Sequence, residues 1–272
     1  MSIQPSQPQS IGGVLDTTFQ LYKASVVKMI PLSLLVVIAG SPQSIYLFTQ
    51  GGLATPGNPM AMFAAMSSPG YWLATALGTI ASMWMISAAY LKLGAIGSGG
   101  DLGVGAALQQ ALPRLPTVVV MVILFGIALV IGAILLIIPC LILMVSLGLC
   151  FNTALFEGKG PVDALIESHR LVWGNWWRTA AILTVGFIII FVIYLIAGVI
   201  IGVLTPILIL GGGGGTENVL LITLIGGLLV GVLTSLLMTP FYIGMAIAIY
   251  WDLKLRKDGG DLAARVGALN PA

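Results

Sequence analysis

His169 is the only imidazole in the chain, and with Glu167 and Arg170 beside it marks the one place where a general base or metal ligand could be sought. A zinc site needs three or four nitrogen or sulfur ligands. Here no second histidine exists, and both cysteines, Cys140 and Cys150, lie in a distant apolar run. His169 therefore reads as an amphipathic residue at an interface, and no metal or cofactor is expected. The zinc-protease pattern HExxH, the serine elbow GxSxG and an intramembrane pair of aspartates are all missing. Gly211 to Gly215 lacks the lysine and hydroxyl residue of a phosphate loop, so it reads as a turn. With no nucleophile and base to pair, the chain is not expected to be an enzyme.

The stretch that holds His169 is unusual for other reasons. Residues 157–179 carry six of the chain's 20 charged residues and three of its six tryptophans. Long uncharged runs flank it on both sides. Its apolar set, Val162, Leu165, Ile166, His169, Val172, Trp173 and Trp176, follows one helical face, while Asp163, Glu167 and Arg170 point elsewhere. Pro161 suits the first helical position. This predicts a helix at a membrane surface. Trp173, Trp176, Trp177 and Arg178, with Trp251 and Lys254 at the other end of the chain, are the candidates for contact with lipid headgroups.

The rest of the composition says what that surface belongs to. The chain is 58% hydrophobic and 7% charged with a mean hydropathy of +1.09, whereas soluble domains are about 25% charged. A soluble fold could not cover such a core. A net charge of +2 without a clustered basic face excludes a nucleic-acid partner. Cys140 and Cys150 lie ten residues apart in one run, about 15 Å along a helix, too far for a mutual disulfide. The first ten residues have no basic segment ahead of an apolar run, so no cleavable signal is expected, and they read as a disordered tail.

Six spans follow. Residues 11–28 form an amphipathic helix and 29–48 span 1, with a kink expected at Pro42; 49–70 read as a loop and 71–91 as span 2. A second short helical piece at 102–114 precedes 42 residues without charge. One helix of that length would measure about 63 Å, twice the hydrocarbon thickness of about 30 Å, so it must fold back. Pro139 is the expected turning point between span 3 (116–137) and span 4 (140–156). Span 5 covers 179–208 and span 6 219–250, joined by GGGGGTEN. The expected organisation is a tail at 1–10, one transmembrane domain at 11–251 and a charged, water-facing tail at 252–272.

All 11 lysines and arginines then fall in the termini and the loops after spans 2 and 4. By the positive-inside bias this predicts a multi-pass inner-membrane protein with both termini cytoplasmic. Laying residues 10–28 over 160–178 aligns Leu15 with Leu165, Thr18 with Ser168 and Lys28 with Arg178. With 102–114 this gives three units, each a cytoplasmic surface helix followed by a membrane hairpin. The fold class is thus all-α, a polytopic bundle. Gly198 and Gly202, and Gly227 and Gly231, are small-residue pairs four apart, candidates for packing spans 5 and 6 or for a homo-oligomeric contact.

Three segments carry a family resemblance: SIGGVLDTTFQLYK, then IIPCLIL with EGKGPVDALIESHRLVWGNWWRT, then PFYIGMAIAIYWDLKLRKDGGDL. They resemble the prokaryotic six-span family named for the membrane domain of glycerophosphoryl diester phosphodiesterases. In some relatives that domain precedes a soluble catalytic barrel. No such barrel is expected after the last span here, and the resemblance transfers no catalytic residue. What it implies is a membrane module. Together these readings predict a non-enzymatic membrane scaffold with a cytoplasmic face for protein partners or lipid. The second reading is a transporter or channel for an uncharged or lipid-like substrate, held back because the expected spans contain no Asp, Glu, Lys, Arg or His.

Overall fold

The computed structural model describes residues 2–50, 59–211 and 216–269, in which every regular element is a helix. The elements are α1 (Ile11–Gly40), α2 (Pro42–Thr49), α3 (Pro59–Ser67), α4 (Pro69–Gly97), α5 (Val104–Ala111), α6 (Leu115–Leu135), α7 (Ile137–Leu147), α8 (Cys150–Phe156), α9 (Pro161–Val172), α10 (Trp176–Gly211) and α11 (Thr216–Leu269). Six helical stretches are long and apolar enough to cross a membrane: Ile11–Gly40, Pro69–Gly97, Val104–Leu135, Ile137–Phe156, Trp176–Ile200 and Leu229–Gly259. Most of the glycine run expected as a hairpin lies outside the described residues.

The core is built where α1 packs on α11 and α4, and its largest fully buried side chains include Leu21, Met29, Leu32, Leu93 and Ile247. Close approach there depends on missing side chains. A Cβ at Gly97 would collide with the Trp251 ring and lie 2.8 Å from a methyl of Leu21. At Gly94 it would lie 2.8 Å from the Phe156 ring. The glycine pairs singled out from the sequence behave differently. At Gly198, Gly202, Gly227 and Gly231 a Cβ would meet no atom of the described residues within 4 Å.

Several boundaries move. The first amphipathic segment and span 1 are one helix, α1, broken only at Ser41, so the kink expected at Pro42 is a helix break with proline at the first position of α2. In the third unit α9 and α10 are separate, because Gly174 takes φ +94°, a conformation that costs glycine nothing. Within the expected loop at 49–70, α3 forms. The turn between spans 3 and 4 falls at Leu136, with φ 140°, rather than at Pro139, which lies inside the first turn of α7. Proline is tolerated there because first-turn amides have no intrahelical acceptor.

Residues 2–10 are not a free tail. Ile3 and Gln4 donate backbone hydrogen bonds to Gly97 O at 2.8 and 3.1 Å, and the Gln9 amide donates to Asp252 at 2.7 Å. Nor does a separate tail begin at residue 252. Helix α11 runs on to Leu269, and Asp252 and Leu253 are buried.

Candidate membrane-surface site

Helix α9 is locked into a gap in the chain that precedes it. Gly148 and Leu149 separate α7 from α8, which leaves backbone groups without helical partners. Ser168, buried on α9, fills both roles needed there. Its hydroxyl accepts from Leu149 N at 3.1 Å and donates to Ser146 O at 2.9 Å. Thr153 reaches back to Ala164 O at 2.8 Å. Ala164 and Ser168 are four apart and small, so the backbones approach. The buried residues of α9 are Ala164, Glu167, Ser168, Leu171 and Val172.

The apolar set expected from the sequence is divided: Val172 is buried and Leu165 packs against the core, while other members lie outside. Val162 (53%) and Ile166 (58%) are exposed, as is Trp173 (62%), and the stripe ends at Trp177, 82% exposed. His169 belongs to the outer side, its ring 4.9 Å from that of Trp173. Trp176 turns inward instead and donates Nε1–H to Ile142 O at 3.3 Å.

A lattice of ion pairs fixes this end of the bundle. Asp252, 1% exposed, accepts from Arg178 and Arg256, each at 3.0 Å. The same two guanidinium groups donate to Gln9 O, closing the N-terminal strap over α10 and α11. Glu157 binds Lys254 at 2.6 Å, Lys159 at 3.0 Å and the Tyr250 hydroxyl at 2.8 Å. Glu167 binds Lys257 at 2.8 Å and Lys159 at 3.0 Å, with Arg170 at 3.6 Å. Burial alone would raise the Glu167 carboxyl, but hydrogen bonds from Lys257 and Lys159 outweigh it and hold the group down at about 2. Glu157 is lowered in the same way, its burial offset by Lys254, Tyr250 and Lys159.

Of the six candidates for headgroup contact, Trp173 and Trp177 face outward. Arg178 and Lys254 are occupied by Asp252 and Glu157. Trp251 is 7% exposed and packs in the core over Gly97, so it is not a headgroup anchor. Sequence reasoning missed Asp252, Gln9 and Ser168. The first had a signal, an acid four residues before Arg256 at the end of an apolar run; the second had none. Lys92 also turns inward and donates to Leu102 O at 2.7 Å.

Three depressions lie around this end. One of about 570 Å³ is lined by Gln4, Gly94, Gln110, Tyr250 and Lys254, among others. Two apolar clefts, of about 590 and 410 Å³, share Trp176. Among the described residues no group of three or more histidine, cysteine or acidic side chains is placed to hold a metal.

Residues 69–253, more than half of the chain, match a family model described as a domain of unknown function (DUF7847). No curated protein and no solved structure matches.

Proposed function

The chain belongs to the DUF7847 family, and we propose that it is a non-enzymatic membrane scaffold whose charged end, on the cytoplasmic side, holds α9 as a rigid docking platform at the bilayer surface. One observation carries this reading: Val162 and Ile166 of α9, with Trp173 at its C-terminal end and Trp177 on α10 beyond it, are exposed while the opposite face of α9 is fixed by hydrogen bonds and ion pairs. An apolar helix face held rigid costs a partner little ordering entropy to bind. The ionisable groups support the non-enzymatic reading, because Asp252, Glu157 and Glu167 are each engaged by several cations. The likeness to glycerophosphoryl diester phosphodiesterase membrane domains belongs to the same proposal, as a membrane module that serves another protein.

Transport has weaker support. The cavity of about 570 Å³ at the charged end and the groove of about 200 Å³ between α2 and α4 share no lining residue. A photo-crosslinking residue at Ile166 tests the docking reading in native membranes, with Ile138 as the control. A discrete protein adduct at Ile166 that Val162→Asp abolishes is expected; lipid adducts alone would overturn it. Orientation is tested separately with a reporter fused at Ala272, expected to be active only in the cytoplasmic form.

A further inference from the structure

Helix α4 supplies a depth gauge. From Tyr71 and Trp72 at one end to Lys92 at the other there are about 21 residues, roughly 31 Å of helix, which matches a hydrocarbon layer of about 30 Å. Aromatic rings at one boundary and a lysine reaching for a carbonyl at the other are the residues expected there. Thr75, Thr79 and Ser82 then lie between about 6 and 17 Å from the aromatic boundary, inside the layer.

At that depth the break between α1 and α2 opens a groove of about 200 Å³, floored by Gly40 and Gly78 and edged by Gln43, Thr75, Thr79 and Ser82. Gly78 is already used within the chain, since a Cβ there would lie 3.0 Å from Ala39 O. Thr75 donates to Tyr71 O at 2.8 Å. Gln43 is exposed, and among the described residues its amide forms no hydrogen bond. A primary amide facing lipid tails has no water to bind and is strongly disfavoured unless another polar group meets it.

We propose that this groove is the contact between two copies of the chain, paired about a two-fold axis through Gln43. An amide carries both donors and an acceptor, so two copies related by a two-fold axis can exchange a pair of N–H···O bonds, and an isologous contact needs such a self-complementary group. The small residues around it let the second helix come close. The volume argues for a side chain rather than a small molecule, because ligand pockets run from about 300 to 1,000 Å³. The surrounding surface, including Leu73, Leu77 and Phe48, is apolar and exposed, and suits a partner of the same kind within the bilayer.

Gln43→Cys, in a full-length Cys140→Ala background, is oxidised in native membranes and compared with Ile134→Cys, which is exposed at the same far end of the molecule. A covalent product of twice the chain mass at Gln43→Cys, at least tenfold more abundant than at Ile134→Cys, is expected. Equal yields at the two positions, or a product of any other mass, would overturn the proposal. In lipid vesicles, energy transfer between labelled copies should fall at least tenfold in Gln43→Leu and be retained in Gln43→Asn. Unchanged transfer in Gln43→Leu, with the helical circular dichroism of the parent, would also overturn it.

Discussion

At the charged end of the bundle Asp252, Glu157 and Glu167 each hold two or more cations within 4 Å. At the opposite end Gln43, Gly198, Gly202, Gly227 and Gly231 meet nothing of the kind within the described chain. The contrast shows where the fold is specified. Pairs such as Arg178 with Asp252 or Gln9 with Arg178 join residues 74 and 169 positions apart, so the charged end ties the N-terminal strap, α9, α10 and α11 into one unit. The far end exposes apolar side chains suited to lipid, and its Gln43 is the group on which the proposed pairing of two copies depends.

Asp252→Ala should break the comparison most severely. It strands two arginines at a buried site and releases Gln9, and removing one partner of a buried pair costs about 3–5 kcal/mol. Thermal unfolding in mild detergent should show the loss, and the first ten residues should become sensitive to protease. An unchanged melting temperature would mean that the lattice is an ornament of the fold and not its fastening.

Acid should reach the same lattice by a second route. The Glu167 carboxyl is held at about 2 against an ordinary value of 4.5. A depressed value stabilises the folded state above the unfolded value, and this contribution is lost as pH falls from about 4.5 toward 2. The ceiling is about 3 kcal/mol. Glu167→Gln should be less stable than the parent at pH 7, and the difference should shrink across that window.

Glycine substitutions separate the two ends directly. Gly97→Leu drives a side chain into Trp251 and Leu21, and such overpacking costs about 1–3 kcal/mol. Gly227→Leu meets open space and should change the melting temperature by less than the equivalent of about 0.5 kcal/mol.

These cases also show what a sequence of this kind makes legible. The all-helical fold and six helices long and apolar enough to cross a membrane follow from hydropathy and spacing, because lipid leaves the backbone so few choices. Which glycines are tight does not follow, since Gly97 and Gly227 look alike until the end of α4 is known to pack on Leu21 of α1 and Trp251 of α11. The buried face of α9 was hidden for a related reason. Periodicity groups the apolar residues of α9 but does not say which of them the protein covers: Val172 is buried and Val162 and Ile166 are exposed, while Ser168 caps the break at Leu149.

Tryptophan reports the same division through a spectroscopic effect rather than a large energetic one. Trp177 is 82% exposed and its one aromatic contact is with Trp176, ring centroids 4.8 Å apart. An edge-to-face pair contributes about 0.5–1.5 kcal/mol, so Trp177→Phe, which keeps a ring in place, should alter stability by less than about 1 kcal/mol. Its spectroscopic effect should be larger. In vesicles of lipids brominated near the headgroup, exposed indoles are quenched and buried ones are not. Trp177→Phe should therefore remove quenched emission, and Trp251→Phe unquenched emission. If Trp251→Phe removed the quenched component instead, the ring would have to leave its place over Gly97, and the charged end would be an open, lipid-facing surface.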